Sequence, residues 1–146
     1  MQTSNSMPMK LTVLTPTKRL LDGVPCKTVY FPSAKGVLGI LPEHTDLVCA
    51  LGTGIVYYDV DNATSFLTIS GGIGQVTGDR VTLLADVAEE AAAIDVGRAQ
   101  RALERARELL VGRGAATTGE DAHEAAAAEA RALARIEAGT LHAAGR

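Results

Sequence analysis

Between residues 91 and 99 the hydrophobic period of this chain changes, and no single layer of structure accommodates both periods. Before Ala91-Ala92-Ala93-Ile94-Asp95-Val96-Gly97-Arg98-Ala99, apolar residues alternate or fall in short runs broken by Gly, Pro and Asn. After it, Ala, Leu, Glu and Arg recur at helical spacing. Such a switch marks the passage from sheet to helix. Asp95 stands where a helix N-cap belongs, a short side chain whose oxygen accepts from the orphan N–H groups of the first turn. A helix N-terminus followed by Arg98 is also a seat for an anion. The plainer reading makes Asp95 only a cap and Arg98 only solvated.

Residues 9–85 read as a succession of short strands. Lys10-Leu11-Thr12-Val13 alternates before Pro16, and residues 26–31 are β-branched and aromatic between Pro25 and Pro32. Further runs follow at 37–41, 46–50, 55–60, 65–70, 73–77 and 80–85. Gly52-Thr53-Gly54, Asp61-Asn62, Gly71-Gly72 and Gly78-Asp79 separate the later ones. Closely spaced strands with turn chemistry between them predict an all-β sandwich, a flattened antiparallel barrel, at the N-terminus.

The remainder predicts an antiparallel α-helical hairpin. In the first helix Val96, Ala99, Leu103, Ala106 and Leu110 form a seam one face wide. Gly97 in its first turn costs about 1 kcal/mol relative to Ala. Gly112-Arg113-Gly114 stops it, and Thr117-Thr118-Gly119 completes the loop. A second helix is expected from about Glu120 to Ala138, with Ala122, Ala126, Leu133 and Ile136 towards its partner and Gly139 as its end. An inner face made largely of Ala buries about one methyl per residue, roughly 0.8 kcal/mol each. The hairpin is therefore expected to be marginal and able to undock or repack. The expected boundaries are a disordered extension at 1–8, the sandwich at 9–90, the hairpin at 91–139 and a flexible tail at 140–146.

Charge and motifs exclude several classes. The chain has 146 residues and a net charge of −3, all of it contributed before Asp95, which argues against a nucleic-acid binder. Cys26 and Cys49 form no CxxC pair, so they read as buried free thiols. The N-terminus lacks an apolar core for a signal peptide, and no run reaches the length of a membrane span. Gly72-Ile73-Gly74-Gln75-Val76-Thr77 misses the dinucleotide fingerprint and lies between strands. His44, His123 and His142 are isolated, so no metal centre is expected. Glu89-Glu90 reads as a solvated junction, and no catalytic constellation is visible.

Two features ask for more. Residues 36–44 form an apolar strand ending in Pro42-Glu43-His44. Arg98, Arg101 and Arg105 share one face of the first helix, and Arg131 and Arg135 lie one turn apart on the second. Like charges at that spacing repel, and guanidinium forks suit phosphate oxygens.

With these residues the chain resembles the epsilon subunits of bacterial F-type ATP synthases. The carriers are Leu14-Thr15-Pro16, Gly36-x-Leu38-Gly39-Ile40-Leu41-Pro42-x-His44, Ser70-Gly71-Gly72, Val81-Thr82-Leu83-Leu84-Ala85-Asp86 and Ile94-Asp95-x-x-Arg98-Ala99. The resemblance implies a non-catalytic central-stalk subunit that couples proton translocation to ATP synthesis. Its sandwich would bind the gamma subunit and sit against the c-ring, with Leu38, Leu41, Glu43 and His44 at that interface. Its helices would reach the alpha and beta subunits and restrain ATP hydrolysis. No cofactor is implied as a requirement. ATP, with Mg, is implied as a regulatory ligand of the folded hairpin, on Glu89, Asp95, Arg98, Arg105, Arg131 and Arg135. The implied place is the cytoplasmic face of the bacterial inner membrane, as a peripheral protein. The rival reading is a β-sandwich protein-binding module with a helical dimerisation hairpin.

Overall fold

The computed structural model describes residues 8–111 and 119–145 and divides into two compact units between Glu90 and Ala91. The first unit has eight strands: β1 (Met9–Leu14), β2 (Arg19–Cys26), β3 (Val29–Ser33), β4 (Gly36–Ile40), β5 (Leu47–Ala50), β6 (Thr53–Val60), β7 (Ala63–Thr77) and β8 (Arg80–Glu90). Their order is β2-β1-β8-β7-β6-β3-β4, with β5 on β7.

The sheet closes over one core because β7 and β8 are long and change facing midway. Leu67 and Ile69 point inward on the first half of β7, where it pairs with β6; Val76 does so on the second half, where it pairs with β5. Between them Gly71 and Gly72 take positive φ of 72° and 113°, a backbone that side chains resist. A Cβ on Gly72 would also collide with the Leu84 carbonyl. One Gly-Gly corner thus turns two expected strands, 65–70 and 73–77, into one bent strand that serves both layers of the sandwich.

Other differences from the sequence reading have similar local causes. Residues 26–31 are not one strand: β2 ends at Cys26 and β3 begins at Val29, with Pro25 and Pro32 inside the flanking strands. β2 itself gave no alternation, since Leu20-Leu21 and Val24 are only half-buried. The pairing of β1 with β8 is parallel, within an otherwise antiparallel sandwich, because the first strand lies beside the last. Asp61-Asn62 is the expected hairpin turn, with φ of 52° and 65° at the two residues. The core is built from large side chains, among them Phe31, Met9, Leu11, Ile40, Leu67 and Leu83, all essentially inaccessible.

In the second unit a single 3-10 turn (Ala91–Ala93) leads into α1 (Val96–Val111); α2 spans Gly119–Ala144. The seam of α1 is as expected, with Ala99 and Ala106 buried and Val96, Leu103 and Leu110 half-buried along it. The face of α2 is not. Ala122, Ala126 and Leu133 are exposed and Ile136 is half-buried. The buried residues are Ala125, Ala132, Ala134, Ala138 and Gly139, with Ala125, Ala132 and Gly139 spaced by seven. The tract is so rich in Ala that several faces look alike in sequence, and only the partner selects one.

Gly139 does not end α2, which continues to Ala144, so residues 140–144 are helical and not a tail. It sits tightly against the start of α1: a Cβ there would stand 2.5 Å from Val96 Cγ2 and 3.6 Å from Ile94 Cγ2. Gly in a helix interior costs about 1 kcal/mol against Ala, a cost offset here by the close approach. Residues 1–7 of the extension expected at 1–8, and residues 112–118, where an interhelical loop is expected, lie outside the described residues.

Candidate functional site

Asp95 is the N-cap of α1. Its Oδ1 accepts from the Arg98 N–H at 3.0 Å, and its carbonyl accepts from the Ala99 N–H at 3.0 Å. The cap thereby fixes the backbone of the first turn and the root of the Arg98 side chain. Arg98, Arg101 and Arg105 are exposed on one face of α1, and among the described residues they make no salt bridge.

The hairpin register relates these groups to those of α2. Val96 lies against Gly139, and Arg107 Nε donates to Glu129 Oε2 at 3.0 Å, tying the two helices together. An antiparallel pair held at those two points sets Arg101 level with Arg135, and Arg105 level with Arg131. Arg131 and Arg135 are half-buried on α2, one turn apart. Arg131 already donates to Glu124 Oε1 at 2.9 Å, so any anion at this position would have to compete with a carboxylate. Arg107 and Glu129, which hold the helices in register, were missed in the sequence because neither belongs to an i, i+4 pair.

Glu89 belongs to the other unit. It lies on β8 opposite Thr68, whose hydroxyl donates to the Glu89 carbonyl at 3.5 Å, and it is half-buried. The expected solvated junction at Glu89-Glu90 is therefore the end of a strand. What the second unit presents on its own is a set of guanidinium groups on two paired helices beside a capped N-terminus. That donor set suits a polyanion.

The second candidate surface is the turn after β4. His44 N–H donates to the Leu41 carbonyl at 3.2 Å across Pro42 and Glu43, and Glu43 has φ of 68°. This is a type II turn with Pro at its first central position and a carboxylate residue where Gly is usual. A non-Gly residue held left-handed is strained by about 1–3 kcal/mol, and such strain gathers at working surfaces. Leu41 and Glu43 point to solvent, while His44 is half-buried with Nδ1 2.6 Å from the Thr45 carbonyl oxygen. Leu38, on β4 before the turn, is half-buried and packs against the core.

A third surface escaped the sequence reading. On the outer side of the sheet, Ile73 pairs with Ala50 on β5 and with Leu84 on β8, and Leu84 pairs with Leu14 on β1. Ile73 and Leu84 are about half exposed and Val48 nearby is 70% exposed, giving an apolar row across four strands. Its signal was present as apolar residues on both faces of β8, Val81-Thr82-Leu83-Leu84, beyond what one core needs.

Neither thiol is disulfide-bonded. Burial, reinforced by the charge of Asp59, pushes the Cys26 thiol up to about 11, and burial also raises Cys49. These are unreactive thiols at neutral pH.

Residues 8–91 match the family model described as ATP synthase, Delta/Epsilon chain, beta-sandwich domain. The ATP synthase epsilon chain of Carboxydothermus hydrogenoformans is 45% identical over 105 residues, covering 72% of this chain and 78% of that one. That of Symbiobacterium thermophilum is 38% identical over 130 residues, covering 89% of this chain and 91% of its own length. Among solved structures, a chain of the Euglena gracilis mitochondrial ATP synthase (OSCP/F1/c-ring) shares the fold with a TM-score of 0.78 at 21% identity, over 92% of this chain and 82% of that one. A chain of the Tetrahymena thermophila mitochondrial ATP synthase central stalk and c-ring does so with a TM-score of 0.59 at 14% identity, over 93% and 99%.

Proposed function

This chain belongs to the ATP synthase epsilon chain family, and from that premise we infer that it is the non-catalytic central-stalk subunit of an F-type ATP synthase. The observation that carries the reading is the contrast within one chain: a sandwich with a large apolar core, followed by a helix pair that meets through Ala and Gly. The first is suited to permanent attachment and the second to exchange of partners. In this reading the outer row of Ile73, Leu84 and Val48 attaches the sandwich to the gamma subunit. The turn at Leu41, Glu43 and His44, with Leu38 on the strand before it, faces the c-ring. The helices reach the alpha and beta subunits and restrain ATP hydrolysis. No described helix is long and apolar enough to cross a membrane, so association through the ring is peripheral in this proposal, on the cytoplasmic side. Co-purification tests it. The chain comes down with gamma, and Ile73→Glu with Leu84→Glu weakens that retention. Retention unchanged by both charges removes the row from the interface.

The regulatory ligand in this reading is ATP, arriving with its Mg, bound by the folded hairpin. Arg98 and Arg105 on α1 and Arg131 and Arg135 on α2 would share its phosphates, beside the Asp95 cap. Glu89 is retained as a nucleotide contact of the sandwich unit. A ligand shifts a two-state arm only by its differential affinity for the two states. Phosphates that need arginines from both helices bind the paired hairpin alone, and a complete switch needs about 5.5 kcal/mol of such preference. Isothermal titration of the full chain with millimolar MgATP tests this: heat is expected, and its loss on Arg98→Ala. No heat, with no change on substitution, overturns ATP as the ligand.

A further inference from the structure

We propose that Gly139, seated against Val96 and Ile94, latches the open end of the helical hairpin and ties helix pairing to the order of the first turn of α1. The inference deepens the regulatory reading above and rests on it only in taking the hairpin to be an arm that opens.

At one end of the hairpin the chain itself joins α1 to α2. The other is closed by side chains. There the 3-10 turn (Ala91–Ala93) packs on α2, and Ala91, Ala138 and Gly139 are buried. Ile94 N–H donates back to the Ala91 carbonyl at 3.2 Å, which shapes the approach to α1. Gly139 meets the two residues that flank the cap, Ile94 and Val96, with room for a hydrogen and not for a methyl: a Cβ would stand 2.5 Å from Val96 Cγ2. Gly139 is not a helix stop, since its φ is not positive and α2 runs on to Ala144. Its reason for being Gly is therefore the contact.

The consequence lies in the position of Asp95 between the two contacts. When α2 lifts away, Ile94 and Val96 lose their packing together, and the cap they bracket loses its support. The first turn of α1 frays, and with it the placement of Arg98. Linkage makes the coupling reciprocal. Whatever orders the first turn, an anion at Arg98 included, closes the latch by the same factor.

Hydrogen exchange on the full-length chain, without nucleotide or partner, tests the latch. In Gly139→Val the amides of Arg98 and Ala99, which bond to Asp95, and those of 136–141 exchange about tenfold or more faster than in the parent, as overpacking of a tight contact dictates. Those of β7 and β8 are unchanged. Gly139→Ala is the milder probe. Helix propensity alone makes it exchange more slowly, whereas the latch makes it exchange faster. Adding Val96→Ala, which removes the methyl that the new Cβ meets, returns the rate toward that of the parent. Slower exchange in Gly139→Ala, unaltered exchange at Arg98 and Ala99 in both variants, or no recovery in the double variant overturns the proposal. Should Gly139→Val unpair the helices along their whole length, the Ala pair still decides. ATP is absent throughout, so failure of the calorimetric test above and failure of the latch are separate results.

Discussion

The two units bury different things. The sandwich buries Phe31, Met9, leucines, isoleucines and valines, residues that each remove a large apolar surface from water. The hairpin buries Ala99, Ala106, Ala125, Ala132, Ala134, Ala138 and Gly139, and among the described residues a partly exposed ion pair between Arg107 and Glu129 joins its helices. Such a pair contributes about 0–1 kcal/mol. The lesson is that close approach and strong attachment are separate properties. Small residues let two helices meet tightly while leaving little to hold them there.

The contrast is sharpest where substitutions act oppositely on the two units. The largest effect is expected from Phe31→Ala, which leaves a cavity in the sandwich and costs about 3–5 kcal/mol. Thermal unfolding of the tyrosine signal shows it, and a change below about 1 kcal/mol would mean that the sandwich is no better packed than the arm. Next comes Ala132→Leu, which overfills the helix seam and costs about 1–3 kcal/mol. That loss is confined to the helical signal; if the sandwich melts earlier as well, the units are not independent. Asp95→Ala removes the cap of α1 and costs about 1 kcal/mol, read as loss of helical ellipticity near the junction.

The smallest effect is silent at neutral pH. Cys26 is raised from 9.0 to about 11 in the folded protein, so its stabilising contribution is intact below pH 9. It is lost as pH climbs from 9 towards 11, because the unfolded chain releases the proton first. Cys26→Ala flattens that alkaline decline. Over the same range Cys49, which is less enclosed, reacts with alkylating reagents ahead of Cys26.

What was legible in the sequence follows from the same contrast. Strand periodicity and turn residues define the sandwich because its core demands large residues at alternate positions. Where the alternation lapses, as at Leu20-Leu21, the strand was missed, and where a Gly-Gly corner bends a strand, one strand was read as two. The seam of α1 was legible because Leu103 and Leu110 mark it. The face of α2 was not, since alanines surround that helix and the spacing by seven of Ala125, Ala132 and Gly139 stands out only beside its partner. Gly139 was read as a stop by composition, and the close contact that explains it is a tertiary property. The arginines were visible as a pattern, but the competition of Glu124 for Arg131 lies two turns away and needed the built helix. The turn at Glu43 was visible as a motif, and its left-handed backbone was not.

The central claim, that a firm sandwich carries a loosely paired arm, is open to one direct measurement. All three tyrosines, Tyr30, Tyr57 and Tyr58, lie in the sandwich and none in the helices, so tyrosine fluorescence reports one unit. Ellipticity at the helical wavelength reports the other. In a urea titration of the full chain followed by both signals, the helical signal is predicted to fall first, with the tyrosine transition well separated and at higher urea. Two coincident transitions of equal midpoint would contradict the account.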